Sequence, residues 1–322
     1  MLDIKYLIDA KSPLAATHSW DIFISAYNDS SRVQEIFKKV VATEKHWVIL
    51  PEYCYSPIEI PTGPSVWIAT EKNEADQIIN TVGQIIDVAK PDSRICFDMT
   101  GFMRPQILFI LKYLKARSFN EFDMLYTEPS QYSRKEDTPF SLDDVNEVRQ
   151  VCGYEGLHSH DMSQDLIIIG TGYDHELISR VILEKEGSRL VQLHSLPSLS
   201  ADMYQESLIR LDRASVPSHP SDDQVFFSSA NDPYLTATAL SRAYNRLRSL
   251  RQITNLYLSP LATKPQALGF GLFYIAELEN TPASVIFPYS SKYSRQTSKG
   301  VGRTWVYPIF FEPSPPNINP IK

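Results

Sequence analysis

The sequence predicts an α/β protein with two mainly parallel sheets in tandem, and three observations support this fold class. Short apolar runs such as residues 47–50 (WVIL) and 166–170 (LIIIG) lack polar alternation, which is typical of strands covered on both faces in a parallel sheet. These runs alternate with helix candidates along the chain, as in folds built from successive strand–helix units. The order strand, turn, helix, strand and loop also occurs twice, so the chain contains two similar halves.

The repeat is clearest between residues 95–134 and residues 255–295, which differ by one residue in length. In both copies the helix candidate opens with a basic residue, a proline and a glutamine, at 104–106 and at 264–266. Each copy also ends with the residues Tyr-Ser-Arg. This similarity predicts that the two halves arose by internal duplication.

The remaining elements follow in the same order in the two halves. In the first half, strand candidates start near residues 21, 46, 66 and 95, and in the second near residues 165, 189, 225 and 255. One more strand follows the repeated helix in each half. Right-handed crossovers between such strands would fold each half into a doubly wound, Rossmann-like sheet. The patterns do not predict the order of the strands within a sheet.

These elements predict the domain organisation. Residues 1–19 form an N-terminal extension and residues 20–140 a first Rossmann-like domain, followed by a linker at 141–164. Residues 165–312 form a second Rossmann-like domain, and the proline-rich residues 313–322 form a flexible tail.

Composition and charge exclude several classes of protein. Hydrophobic residues make up 43% of the chain and charged residues 21%, which excludes disordered, collagen-like and coiled-coil proteins. The 31 basic and 38 acidic side chains give a formal charge of −7, so the chain as a whole does not attract nucleic acid and any anion must bind locally. No signal peptide or membrane-spanning run is evident. We therefore expect a cytoplasmic protein without membrane contact.

Cysteine and histidine patterns give no sign of a metal site. Cys54, Cys96 and Cys152 show no C-x-x-C spacing, so neither a disulfide framework nor a zinc site is predicted. His158 and His160 lie close together without a third spaced ligand. No metal is predicted. The sequence indicates no cofactor other than a nucleotide-like ligand.

The loops that follow the strands are the candidate binding sites, because open α/β sheets bind ligands outside the carboxyl ends of their strands. Glycines there allow close backbone approach, and hydroxyl and amide side chains suit ribose or phosphate oxygens. The same residues could instead only form turns or cap helices. The candidates are Asn28, Asp29, Gly170, Gly172, Tyr173, Asp174, Ser228, Ser229 and Asn231.

The paired loops before the repeated helices give the sharpest functional signal. Arg104 follows Thr100 and Gly101, and Lys264 follows Thr263, so each cation stands at the start of a helix. Such a position costs a few tenths to about 1 kcal/mol, because the helix N-terminus is itself positive. An anion held by the cation and the helix amides would reverse that effect. The alternative is that both side chains extend into water.

Two further kinds of residue are candidates. Arg295 and Arg303 lie in a segment rich in Arg, Lys, Ser and Gly, which suits either a mobile loop that closes over a charged ligand or a solvated surface loop. Glu52 ends a strand and, with Asp174, is a candidate general acid or base if the protein is an enzyme.

The run Thr263-Lys264-Pro265, with Ala267-Leu268-Gly269 after it, resembles the T-K-P turn of CARF domains in prokaryotic antiviral systems. The tandem arrangement is similar to that of SAVED domains, in which two CARF-like units are fused. The resemblance implies recognition of cyclic nucleotide signals in the cleft between the two units. Thr263 and Lys264 correspond to motif residues, whereas Arg104 corresponds only through the internal repeat, since the first copy reads Phe-Met-Arg-Pro.

The leading hypothesis is a sensor or regulatory subunit that recognises a nucleotide-like anion in bacterial antiviral defence. Its effector action would lie in a protein partner or in a homo-oligomer. One alternative is a nucleotide or nucleoside hydrolase or a glycosyl-transfer enzyme on the same scaffold, with Glu52 or Asp174 as acid or base and Arg104, Lys264 and Arg303 on phosphate. The second alternative is a structural interaction subunit.

Overall fold

The computed structural model describes residues 7, 9–90, 92–132, 145, 147–172, 174–200, 203–214, 224–295 and 298–311. Within these residues the strands form one seven-stranded, one six-stranded and one two-stranded sheet.

Strands and helices alternate along the first part of the chain. The strands are β1 (Ser12–Pro13), β2 (Ser19–Ala26), β3 (Val41–Ile49), β4 (Val66–Ile68), β5 (Ile95–Asp98), β6 (Glu121–Thr127) and β7 (Gln131–Tyr132). The helices are α1 (Ser31–Lys39), α2 (Glu74–Ile78), which continues through the π-helical turn Ile79–Gly83 into α3 (Gln84–Asp87), and α4 (Arg104–Ala116). A 3₁₀ turn, Pro51–Tyr53, follows β3.

The second part of the chain has the same alternation. Its strands are β8 (Glu147–Gln150), β9 (Leu166–Gly170), β10 (Arg189–Ser195), β11 (Val225–Ser228), β12 (Leu256–Pro260), β13 (Ala283–Tyr289), β14 (Ser298–Lys299) and β15 (Thr304–Phe310). Its helices are α5 (His175–Glu184), α6 (Met203–Arg213), α7 (Pro233–Leu250) and α8 (Lys264–Phe273), which ends in the π-helical turn Tyr274–Leu278.

The two large sheets share one strand order. The seven-stranded sheet runs β1-β15-β6-β5-β2-β3-β4 and the six-stranded sheet β11-β10-β9-β12-β13-β8. In each, five strands that follow one another along the chain lie parallel, with the first in the centre and the fourth and fifth on one side of it. Beside the fifth lies one antiparallel strand, β15 next to β6 and β8 next to β13. The predicted α/β class with two mainly parallel sheets is confirmed.

Two segments lie in sheets to which the sequence analysis did not assign them. β15, placed in the second domain, pairs with β6 of the first sheet, and β8, placed in the linker, pairs with β13 of the second. Both pairings supply backbone partners to a strand that would otherwise be a sheet edge. β15 is mainly apolar and β8 is mainly polar, and neither pattern carries a local mark of the sheet that the strand joins, so the sequence does not show these pairings. The predicted tail lies outside the described residues.

Helices α4 and α8 pack against each other between the two sheets. Every residue of α8 from Pro265 to Phe273 is buried. A Cβ atom placed on Gly271 would lie 2.8 Å from Leu111 Cδ1 and 2.9 Å from Leu108 Cδ2, so glycine permits the close approach of the two helices. One hydrophobic core runs through both halves. The contact between α4 and α8 places the loops before these two helices at the same end of the molecule.

Candidate functional site

A cleft of about 120 Å³ opens where the two halves meet, at the N-terminal ends of α4 and α8. The loops after β5 and β12 contribute Arg104 and Lys264 to its wall, and the loop after β9 contributes Gly172 and Asp174. The cleft therefore lies at the carboxyl ends of parallel strands from both sheets, where open α/β folds bind ligands.

The two cations at the helix starts reach across the interface in opposite directions. Arg104 Nε donates to Ala262 O at 2.7 Å, and Nη2 of the same guanidinium donates to the same carbonyl. Lys264 Nζ donates to Thr100 O at 2.5 Å. Each half thus sends its basic residue to the backbone of the loop that carries the other one. Both side chains turn into the interface instead of extending into water.

A third cation, Arg32 of α1, lines the same cleft. Its Nη1 donates to Thr127 O at 2.9 Å, whereas its Nε is buried without a hydrogen-bond partner in the described residues. The positive charges of Arg32 and Arg104 both disfavour the protonated form of Lys264. The cleft consequently concentrates positive charge on a chain whose formal charge is −7.

Burial and like charge change the ionisation of Lys264. Removal from water lowers the pKa of its amine well below the usual range, and the positive charges of Arg32 and Arg104 lower this pKa further. The carboxylate of Asp98 acts in the opposite direction. Asp98 is itself fully buried, so its own pKa is raised, although Ser25 Oγ and Thr100 N each donate to it at 2.9 Å.

The starts of the two helices differ in their capping. Thr263 caps α8 in a capping box with Gln266, and its hydroxyl also bonds to Ala230 O. Met103, the equivalent residue of α4, offers no side-chain cap. Thr263 lines the cleft, but its hydroxyl already has partners in the fold.

The loop after β9 brings a carboxylate to the cleft. A Cβ atom on Gly172 would lie 2.2 Å from Leu261 O, so only glycine allows this loop to pass so close to the loop before α8. Asp174 caps α5 by accepting from Leu177 N at 3.2 Å, and its Oδ2 is buried without a hydrogen-bond partner among the described residues. The candidate Tyr173 falls outside those residues. Gly170 ends β9 against the ring of Phe270 and does not line the cleft.

The candidates that follow β2 and β5 hold turns together. Asn28 Oδ1 accepts from Ser30 N at 2.9 Å, and Thr100 Oγ1 accepts from Thr127 N at 3.0 Å. Gly101 passes so close to β2 that a Cβ atom would lie 2.0 Å from Ala26 O. These three residues support the cleft from behind and do not line it.

The polar cluster after β11 is bonded within the protein. Ser228 Oγ accepts from Gln266 Nε2 at 2.9 Å, and Ser229 Oγ donates to Asn231 Oδ1 at 3.0 Å. Asn231 Nδ2 donates to Glu128 Oε1 at 2.7 Å, which ties this loop to the first sheet. These candidates lie beside the cleft, and their side chains are engaged in tertiary contacts.

Arg295 fastens the segment after β13 to the first half. Its Nε donates to Tyr53 O at 2.7 Å, its Nη1 donates to Glu59 at 2.7 Å, and its guanidinium stacks on Tyr55. Asp29 lies 3.8 Å from it. Arg303 lines a different surface pocket, next to α1. Neither arginine lines the cleft.

Glu52 lines a second pocket, adjacent to the cleft. Burial raises the pKa of its carboxyl group, to which Gln77 Nε2 donates at 2.8 Å, and its Oε2 is buried without a partner in the described residues. Tyr53 and Tyr293 line both cavities. They lie between Glu52 and the basic residues of the cleft, which are Arg32, Arg104 and Lys264.

No protein-family model matches this chain, and no curated protein is significantly similar to it in sequence. Function must therefore be argued from the site itself.

The described residues contain neither a membrane-spanning helix nor a cluster of metal-ligating side chains. No helix there is both long enough and apolar enough to cross a membrane. No group of three or more His, Cys, Asp or Glu side chains there could hold a metal ion. His158 instead stacks on Tyr257, with its Nδ1 3.2 Å from Asn255 Oδ1.

Sequence reasoning missed several residues of the cleft wall. Arg32 lies on an amphipathic helix whose charged residues look solvated, so nothing local distinguishes it. Tyr293 belongs to the repeated Tyr-Ser-Arg ending, and that signal could have identified it. Tyr53, Tyr126 and Ser195 also line the cleft, and they come from segments far apart in the sequence.

Proposed function

We propose that this protein is a sensor or regulatory subunit that binds a nucleotide-like anion in the cleft between its halves. The observation that carries the proposal is the convergence of Arg32, Arg104 and Lys264 on one cleft. Three elements distant in sequence contribute these cations, and the chain as a whole is acidic.

The electrostatics of the cleft favour an anion. Arg32 and Arg104 repel the charged form of Lys264, and a phosphate between the three groups would replace this repulsion by attraction. Hydrogen bonds in which the donor or the acceptor is charged are about twice as strong as neutral ones. The first amides of α4 would add to this attraction, because no side chain caps that helix.

The size of the cleft restricts what binds inside it. A volume of about 120 Å³ accommodates a phosphate-sized group with a few water molecules. The remainder of a nucleotide would extend towards solvent, where the partly exposed ring of Tyr293 in the cleft wall offers a surface for it.

We further infer that the halves are duplicated Rossmann-like units related to CARF and SAVED domains. The shared strand order and the reciprocal bonds of Arg104 and Lys264 support the duplication. Thr263 and Lys264, the residues that match the T-K-P motif, both line the cleft. The resemblance implies cyclic nucleotide signals as ligands and an effector in a partner protein or oligomer, within antiviral defence.

The test is a panel of linear and cyclic nucleotides and inorganic phosphate, measured by thermal shift and by chromatography of the ligand. A ligand at about 100 times its Kd stabilises the folded chain by about 2.7 kcal/mol. Lys264→Glu should weaken binding at least about tenfold, or about 1.4 kcal/mol, because it replaces a cation of the cleft with an anion. Lys72→Glu changes an exposed lysine and should leave binding unchanged.

Stabilisation by none of these compounds would refute the proposal and favour a structural interaction subunit. Equal loss of binding in both variants would show that overall charge, and not the cleft, attracts the ligand.

The position of Asp174 favours an enzyme as the second candidate. Its Oδ2 lacks a hydrogen-bond partner in the described residues, and it lines the same cleft as the cations, as a general acid or base beside a bound phosphate would. Chromatography then shows product, and Asp174→Asn abolishes turnover while binding persists. An intact ligand after prolonged incubation contradicts this candidate.

A further inference from the structure

Lys264 lines the cleft, and its amine has few competing partners. Thr100 O is its hydrogen-bond acceptor in the described residues, and no carboxylate there lies within ion-pair distance of its Nζ. The side chain keeps some exposure to the cleft even though protein surrounds the amine. A small molecule in the cleft therefore lies against the side chain of Lys264.

The groups around the amine favour its neutral form. Arg32 and Arg104 face it from α1 and α4, and both guanidinium groups remain charged at any ordinary pH. Together with burial they lower the pKa of Lys264, against the opposing effect of Asp98. The other titratable groups of the cleft wall are Asp174 and the phenols of Tyr53, Tyr126 and Tyr293. Lysines become nucleophilic in this way, by desolvation or by a neighbouring cation.

We propose that Lys264 is a reactive amine that forms an imine with small aldehydes or ketones that carry a phosphate or carboxylate group. The guanidinium groups of Arg32 and Arg104 hold the anionic group of the reagent. The carbonyl carbon then lies beside Nζ, which is positioned by its hydrogen bond to Thr100 O.

The reaction is a condensation without an external oxidant or reductant. The lone pair of neutral Nζ attacks the carbonyl carbon, and the π electrons of the C=O bond move to oxygen. A proton passes from nitrogen to this oxygen through water, which gives a carbinolamine. Loss of the hydroxyl group and of the second amine proton as water leaves the C=N bond.

This inference rests on the anion site of the proposed function but does not require a nucleotide as the natural ligand. If nucleotides bind and no imine forms, the proposed function stands and the inference fails. If the imine forms and no nucleotide binds, the inference stands and the proposed function fails.

The experiment uses pyridoxal 5′-phosphate as the probe, with borohydride to reduce any imine to a stable secondary amine. Peptide mapping by mass spectrometry of the full chain should locate the phosphopyridoxyl group on Lys264 at least about tenfold more often than on Lys72, an exposed lysine. Inorganic phosphate should protect Lys264, and pyridoxal, which lacks the phosphate, should label it less. The selectivity should be largest below about pH 8, where an ordinary lysine is protonated.

Two matched variants check the assignment. Lys264→Arg keeps a basic side chain of similar length but cannot form an imine, so the site-specific label should disappear. Lys72→Arg should leave the label on Lys264 unchanged. Mapping of the unmodified chain gives the answer even if Lys264→Arg fails to fold. Labelling of surface lysines with Lys264 unmodified, or labelling of Lys264 that phosphate does not suppress, would overturn the inference.

Discussion

At the scale of single residues, burial of ionisable groups controls how this protein responds to pH. His194 in β10 is 1% exposed, and burial lowers its pKa to about 4. Its ring contacts Thr171 Oγ1 at 3.2 Å and Gln192 Oε1 at 2.9 Å. The folded protein therefore holds this imidazole neutral at pH values at which the unfolded chain protonates it.

His194 should make the protein less stable in mild acid. Because its folded pKa lies below the ordinary value of 6.5, its contribution is complete above about pH 6.5 and decreases as the pH falls towards about 4. We expect a loss of the order of 3 kcal/mol in the free energy of unfolding over this window. Urea titrations at several pH values measure it, and His194→Gln should flatten the profile.

His160→Gln, which changes an exposed histidine, is the control for this measurement and should leave the pH dependence as it is. The same slope in the native chain and in His194→Gln would show that another group titrates.

At the scale of elements, α8 depends on glycine where it crosses α4. Gly271 lies inside the helix, where alanine would ordinarily stabilise by about 1 kcal/mol. At this position a methyl group would meet Leu108 and Leu111 at under 3 Å. Steric overlap in a close-packed interior typically costs about 1–3 kcal/mol, so the tertiary contact outweighs the helix propensity.

Because the helix propensity of alanine offsets about 1 kcal/mol of this cost, we expect Gly271→Ala to lower the free energy of unfolding by up to about 2 kcal/mol. Chemical denaturation measures this change. Asn245→Ala lies on the exposed face of α7, where only helix propensity acts, and should be neutral or slightly stabilising. A stabilised Gly271→Ala chain would mean that α4 and α8 lie further apart than described.

At the scale of the whole molecule, a buried ion pair helps to join the halves. Glu74 of α2 is 1% exposed and accepts from Arg149 Nη2 at 2.6 Å and from Tyr289 OH at 2.8 Å. Arg149 and Tyr289 belong to β8 and β13 of the second sheet. Despite its burial, Glu74 has a lowered pKa because Arg149 and the backbone of Cys152 donate to it.

Removal of this charge should strongly destabilise the protein. Glu74→Gln leaves the Arg149 guanidinium with only its exposed partner Glu147, and loss of one partner of a buried pair costs about 3–5 kcal/mol. Asp87→Asn breaks the exposed pair with Arg117 and should cost under about 1 kcal/mol. Denaturation at neutral pH compares the two variants, and similar small losses would contradict the structural role of Glu74.

The sign of the pH effect gives an independent check. A carboxyl group with a lowered folded pKa stabilises above its ordinary value of 4.5 and loses this contribution as the pH falls below it. The contribution of Glu74 to stability should therefore be lost only in stronger acid than that at which the contribution of His194 begins to decrease. Measurements across this pH range separate the two contributions.

The sequence predicted the α/β class and the positions of most strands, because apolar periodicity is a local property. It also placed a basic residue, Arg104 or Lys264, at the start of each of two helices. It did not predict that Arg32 joins them, since an arginine on an amphipathic helix carries no local sign of its distant neighbours. Asn28 and Ser229 followed strands as predicted, and Ser228 ends one, but hydrogen bonds within the fold engage all three.

The sequence by itself determined that strands and helices alternate along the chain and that a basic residue stands where α4 and α8 each begin. Only the tertiary structure decided that these residues cross the interface to carbonyl groups of the opposite half, and that β15 returns to the first sheet. The physical reason is that element formation follows from short-range periodicity. Edge pairing and the direction of a long side chain instead depend on residues that are distant along the chain.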